Sequence, residues 1–418
     1  MVKFDNGSYV LKDKPYDYKT LSEKIESGSL PGSKEWTGWY EDFKEGSFDI
    51  LETLKPIEEM RSKAKTMIVI GIGGSYLGSK AIDFALSQKN EYQLLFAGIN
   101  LSSDYLNDVV EYAKNNDFVL CYITKSGTTL EPAIAFRLLK NVLVDKYGAE
   151  ALQERLVVIT GQDNRLRAYA QKNDVLLYDV PETTGGRYSV FTHVGLVPLA
   201  FMGYDLKALL QGAYDATSED KDLMDESIPF SYAKNRYDLY NHGHAIEAFV
   251  VYQPKLNFVL EWIKQLFGES EGKGGKGLFP VSLNNTTDLH SLGQMVQDGN
   301  KILFESVIKV NEEVSNLEIP FDQDDFDGLN QYLNYSVSQI NNVALQGTKL
   351  AHQEGGVVNL EFELDQIDAY HLGYLMGSMM IACMYSAYMI GVNPFDQPGV
   401  EVYKKEIYKI LNESDKND

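Results

Sequence analysis

Short β-branched runs recur along the chain between longer stretches with helical apolar spacing, and this alternation most constrains the fold. "TMIVIGIGG" (Thr66 to Gly74), "YQLLFAG" (Tyr92 to Gly98), "DFVLCYIT" (Asp117 to Thr124), "RLVVITG" (Arg155 to Gly161) and "DVLLYDV" (Asp174 to Val180) are near-continuously apolar. Runs of that kind read as parallel strands buried on both faces. Between them, segments such as Ser103 to Asn115 and Leu130 to Tyr147 carry helical spacing. A mainly helical stretch spans about Tyr188 to Asn241. A second alternating series follows, with strands near "AIEAFVVY" (Ala245 to Tyr252), "KILFESVIKV" (Lys301 to Val310) and "GVVNLEFEL" (Gly356 to Leu364). Helices are expected near Leu256 to Phe267, Asp288 to Gly299 and Phe326 to Lys349, and a charged surface helix from about Val400. Alternation implies parallel sheets covered by helices on both faces. The expected organisation is an arm (1–45), a first α/β domain (46–200), a helical connection (201–240), a second α/β domain (241–395) and a C-terminal helix (396–418).

Charge narrows the partners. The formal net charge is −22, with 60 acidic residues against 38 basic ones. That balance argues against nucleic acid, which demands a basic face, and against an anionic membrane surface. The uncharged stretch from Leu372 to Phe395 has the length of a membrane span, but its Gly and Ser content and lack of a basic flank read as a buried helix. Cys121 and Cys383 both lie in apolar runs and read as free core thiols in a reducing cytoplasm. The start, MVKFDNGSYVLKDK, lacks the apolar core of a signal peptide.

Two strand-to-helix turns carry chemistry. In "IVIGIGGSYLGSK" the dinucleotide fingerprint fails, because the sixth position counted from Gly71 is Tyr76. The phosphate-loop pattern fails too, since Ser79-Lys80 stands where Lys-Ser is required. "CYITKSGTTLEP" (Cys121 to Pro132) runs from a buried strand into a Ser/Thr/Gly turn and then a helix. Helix capping needs one hydroxyl, whereas Thr124, Ser126, Thr128 and Thr129 offer several beside the positive end of a helix. Such a turn can hold a phosphate through dipoles and hydroxyls even in an acidic protein.

Three more stretches make the reading specific: "TTGGRYSVFTHVG" (Thr183 to Gly195), "GESEGKGGKGLFPVSLNNTTDLHSLGQMVQDG" (Gly268 to Gly299) and "NPFDQPGVEVYKK" (Asn393 to Lys405). With "GIGGSYLGSK" and "TKSGTTLEP", they resemble the phosphoglucose isomerase family in its shorter bacterial form, in order from about Ile68 to Lys405. The resemblance implies two sugar-isomerase-type three-layer α-β-α sandwiches with mainly parallel sheets, and interconversion of glucose 6-phosphate and fructose 6-phosphate without metal or cofactor. It implies a homodimer whose active sites are shared between chains.

Residue roles come from the same resemblance. Glu269 is the base that carries a proton between adjacent sugar carbons; on composition alone, Glu271 is an equal rival. His290 and Lys404 assist ring opening, and Arg187 stabilises the enediolate. Gly74, Ser75, Thr124, Lys125, Ser126, Thr129 and Gln397 bind the ligand, with Lys125 acting through either its side chain or its backbone. His242 and His244 lack a second cluster at metal-ligand spacing and read as structural. Two alternatives remain: a dual isomerase that also accepts mannose 6-phosphate, and a non-catalytic sugar-phosphate sensor, which would need the phosphate seat but not Glu269, His290, Arg187 and Lys404 together.

Overall fold

The computed structural model describes residues 1–7, 9–13, 16–40, 48–87 and 91–414, so the last part of the expected N-terminal arm (41–45) and the first two residues of the domain expected to follow it lie outside the described residues. The first sheet contains β2 (Thr66–Ile70), β3 (Gln93–Ala97), β4 (Val119–Thr124), β5 (Leu156–Thr160) and β6 (Leu176–Asp179), ordered β3-β2-β4-β5-β6 and parallel throughout. The second contains β1 (Val2–Asp5), β7 (Ile246–Val251), β8 (Phe279–Asn284), β9 (Leu303–Val310) and β10 (Asn359–Leu364), ordered β1-β10-β9-β7-β8. Of its pairings, only β1–β10 is antiparallel.

Each sheet is covered on both faces. Ile68, Ile70, Leu120 and Tyr122 pack outward under the helices Ser103–Asn115 and Leu130–Tyr147, while Met67, Val69, Cys121 and Ile123 face inward. The inward face of the second sheet, with Phe249, Val251, Ile308 and Phe362, joins the same central core. One core therefore lies between the two sheets. The helical middle resolves into His193–Met202, Leu206–Leu223 and Ile228–Asn241.

The uncharged segment forms the helix Ala369–Met389, buried along its length. Among the described residues, no helix is long and apolar enough to cross a membrane. It packs on Leu206–Leu223 at backbone contact. A Cβ on Gly373 would lie 1.9 Å from Leu209 O, and one on Gly212 would lie 2.0 Å from Tyr370 O. This explains glycines in a helix interior, where they otherwise weaken the helix. Cys121 and Cys383 are free and buried.

Two expected helices differ, and two strands were not expected. The segment expected as a helix from Phe326 to Lys349 is helical only over Val337–Glu354, opened by a Ser336–Gln339 capping box, with a single 3-10 turn (Leu329–Tyr332) before it. The expected Asp288 to Gly299 helix divides into a 3-10 turn, Thr287–His290, and a short helix, Gly293–Asp298. β1 and β8, absent from the sequence reading, form the two edges of the second sheet.

In the first sheet β3 and β4 flank β2 on opposite sides, so the chain leaves β2 and β4 in diverging directions. Crevices open at the carboxyl ends of strands at such switch points. Both glycine-rich turns end there, the first after β2 and the second after β4.

Candidate active site

At this crevice the turn after β2, Gly73–Ser75, touches the 3-10 turn Gly186–Tyr188 backbone to backbone. A Cβ on Gly74 would lie 2.1 Å from Gly186 O, so no other residue fits without moving the arginine that follows. Arg187 is 1% exposed. Its Nε donates to Ser270 Oγ at 2.7 Å, and Nη2 donates to the carbonyls of Pro394 and Asp396. Nη1 lies 3.4 Å from Glu269 Oε2. The guanidinium thus joins the Gly186–Tyr188 turn to the end of the helix Asn257–Glu271 and to the loop before Gln397.

Glu269 is the residue on which these elements converge. Gln265 Nε2, one turn earlier on the same helix, donates to Glu269 Oε1 at 3.1 Å. Gln397 Nε2 donates to Oε2 at 2.8 Å. With its side chain 30% exposed, the carboxylate is held by two amides and a cation yet still open to the crevice. Gln265 was missed in the sequence. Its signal is the i,i+4 spacing to Glu269, which puts both side chains on one helical face. Glu271, the rival, is 1% exposed and bound to Arg236, away from the crevice.

The "TKSGTT" turn divides its labour. Thr129 has the extended backbone of an N-cap for the helix Leu130–Tyr147, but its side chain makes no capping bond. Ser126 Oγ accepts from Thr128 N and from Thr128 Oγ1, each at 3.2 Å, and lies 3.5 Å from Thr129 Oγ1. Hydroxyls are thus gathered at an uncapped helix start. Thr124 is buried and accepts from Gly127 N at 3.3 Å, bracing the turn. Lys125 turns elsewhere: its ammonium donates to the carbonyls of Pro181, Glu182 and Thr184 at 3.1–3.3 Å and sits over the Trp36 ring. Its side chain fastens the loop leading to Arg187, and burial holds its pKa below the ordinary lysine value.

Two expected participants stand apart. His290 ends the 3-10 turn after β8 and is exposed. Lys404 lies on the exposed helix Pro398–Ser414 and pairs with Glu401 at 2.9 Å. Among the described residues, no hydrogen bond or ion pair joins either to Glu269. The Lys404 helix does reach the hydroxyl turn, through a 3.5 Å bond from Tyr408 Oη to Thr128 O. His242 Nδ1 meets Asp238 O at 2.7 Å, and Asp238, His242 and Asp13 lie close enough to hold an ion. Asp238 already accepts from Tyr9 Oη and from the backbone N–H groups of Lys12 and Asp13, so the cluster ties the N-terminal segment to the helix Ile228–Asn241.

Paired α-β-α layers of this kind, with the crevice at a switch point, place the chain in the sugar-isomerase class of folds. Tagatose-6-phosphate ketose/aldose isomerase from Escherichia coli shares the architecture at a TM-score of 0.51 and 14% identity, covering 91% of this chain and 97% of that one. Closer likenesses are a hypothetical protein from Thermus thermophilus and a glucose-6-phosphate isomerase from Chlamydia trachomatis. The first has a TM-score of 0.86 at 25% identity over 98% of this chain and 100% of that one. The second has a TM-score of 0.77 at 22% identity, over 88% of this chain and 73% of that one. The glucose-6-phosphate isomerase of Staphylococcus aureus is 41% identical over 416 residues, covering 97% of this chain and 93% of the relative. The family profile described as phosphoglucose isomerase matches residues 57–310. The chain belongs to the phosphoglucose isomerase family.

Proposed function

We propose that the protein interconverts glucose 6-phosphate and fructose 6-phosphate, with Glu269 as the proton carrier. The family supports the reaction, and one observation carries the choice of base: Glu269 is the carboxylate that Arg187, Gln265 and Gln397 hold at the crevice while leaving it open. In the open-chain aldose, Glu269 takes the proton from C2, and the electron pair moves into a C1–C2 double bond as the carbonyl oxygen becomes an oxyanion. Arg187, itself 1% exposed, is the cation beside that charge. The O1 oxyanion takes up a proton and the C2 hydroxyl gives one up, so that when Glu269 returns its proton to C1 the carbonyl forms at C2 and the ketose results. A proton beside a carbonyl is a weak acid, so both placement of the base and stabilisation of the anion are needed. Gly74, Ser75, Thr124, Ser126, Thr129 and Gln397 surround the ligand, and Lys125 supports the site through the Arg187 loop. Lys404 and His290 open the ring.

The working unit is a homodimer in the cytoplasm, with the histidine of one chain completing the other chain's site. His290 is exposed, and Leu292 and Met295 immediately after it are 45% and 58% exposed, an apolar edge suited to a second copy. The free buried thiols fit a reducing compartment.

The phosphate seat is tested by Ser126→Ala with Thr129→Ala. This variant raises KM for fructose 6-phosphate with kcat little changed, because it removes binding common to the ground and transition states. Inorganic phosphate inhibits the wild type competitively and this variant less. Unchanged KM and phosphate sensitivity would reduce the turn to a helix start. Assays with mannose 6-phosphate as substrate separate a dual isomerase from a strict one.

A further inference from the structure

The helix Asn257–Glu271 ends with two glutamates on opposite faces. Residues two apart on an α-helix are about 200° apart around its axis, so a turn that presents Glu269 to the crevice drives Glu271 into the interior. There Glu271 meets Arg236 of the helix Ile228–Asn241. Nη1 donates to Oε1 and Nη2 to Oε2 at 3.2 Å, a bidentate grip. The same guanidinium donates from Nε to Glu247 Oε2 on β7 at 2.7 Å, and from Nη1 to Ser386 Oγ at 2.6 Å. Glu247 in turn accepts from Tyr232 Oη and from Ser306 Oγ on β9. Arg236 and Glu247 are fully buried.

One cation and two carboxylates without solvent are a poor way to gain stability. Desolvation costs several kcal/mol per ion, and apolar residues of similar volume often hold such layers equally well. The fork does supply direction, since a guanidinium meets a carboxylate bidentately in one plane. Beyond Glu271 the chain turns at Gly272, so the last helical turn, with Glu269 in it, has no further helix to fix its rotation.

We propose that Arg236, with Glu247 and Glu271, is a positioning device for the base: it fixes the rotation of the final helical turn so that Glu269 stands between Gln265 and Gln397. The inference rests on Glu269 being the base. Small misplacement of a reacting group is costly, about 10²-fold for 1 Å.

Glu271→Gln keeps the shape and removes the charge, whereas Arg236→Lys keeps the buried charge and loses the fork. In each variant, with an unchanged circular dichroism spectrum and a cooperative melt, kcat falls about tenfold while KM stays within about twofold, because the phosphate seat is untouched. Added to Glu269→Gln, Glu271→Gln costs nothing further, since a positioning residue acts only through the group it positions. Wild-type kcat in both folded variants overturns the proposal. A further independent loss in the double variant also overturns it, by showing that Glu271 acts directly. Failure of both single variants to fold makes the cluster a matter of stability and overturns it too. The base reading fails separately, if Glu269→Gln alone remains active.

Discussion

Glu269→Gln lowers kcat for fructose 6-phosphate by about 10²–10⁴, the usual cost of losing a general base. The amide is nearly isosteric: its oxygen can still accept from Arg187 and Gln397, and its NH2 can donate to Gln265 once that amide turns its Oε1 inward, so the crevice keeps its shape. Binding of the sugar phosphate, followed by calorimetry, should persist within a few-fold, because the hydroxyl turn is untouched. Glu271→Gln gives a useful contrast. Its carboxylate is bound to Arg236 away from the crevice, so its loss is about tenfold at most by misplacement. The reverse order, with Glu269→Gln active and Glu271→Gln inactive, would show the wrong glutamate to be the base.

The second large effect is a recovery of activity. Glu269→Gln and His290→Asn should each be inactive as homodimers. In a mixed dimer with one chain of each, sites built from the glutamate of one chain and the histidine of the other sort the lesions. One site collects both and its twin collects neither, as two-fold symmetry requires. Activity then returns to about half the wild-type value per mixed dimer. Co-expression with two affinity tags, purification of the mixed species and a rate measurement decide the matter. A mixed dimer without activity would mean that every site carries one lesion, and the shared-site arrangement would fall while the isomerase assignment stood.

Much of the fold was legible because its central strands are buried on both faces. β2, β4 and β5 are buried throughout and apolar except for one terminal threonine each, and residues such as Val69, Cys121 and Val158 leave no polar face to confuse the period. The strands that escaped notice are sheet edges. β1 is the four-residue VKFD, and β8 contains Pro280, which an edge strand tolerates because one side makes no ladder bonds. Short, mixed sequences at edges resemble loops. The Val337–Glu354 helix begins later than expected because its start signal is the capping box of Ser336 with Gln339, while the apolar Phe326 and Leu329 before it are exposed.

The site was legible through motifs rather than through chemistry. A glutamate before a glycine turn is ordinary, and nothing in "GESEGK" separates Glu269 from Glu271 without the helix that turns them apart. The Arg236 cluster joins residues from β7 and three helices, so no local pattern announces it. Gln265 was missed as well, although its i,i+4 spacing to Glu269 puts both side chains on one helical face. Lys125 shows the converse: a lysine in a phosphate-type turn suggests a ligand contact, but three carbonyls from 181–184 hold its ammonium.

The central claim is that a single carboxylate carries a proton between adjacent carbons through an enediolate. Fructose 6-phosphate turned over in deuterated water, with the product followed by proton NMR, tests it most directly. A base that exchanges its proton with solvent delivers deuterium to C2 of glucose 6-phosphate, and the Glu269→Gln protein delivers none over the same time while still binding substrate. Product that keeps the substrate's own hydrogen at every extent of turnover, or deuterium uptake undiminished in Glu269→Gln, would contradict the account.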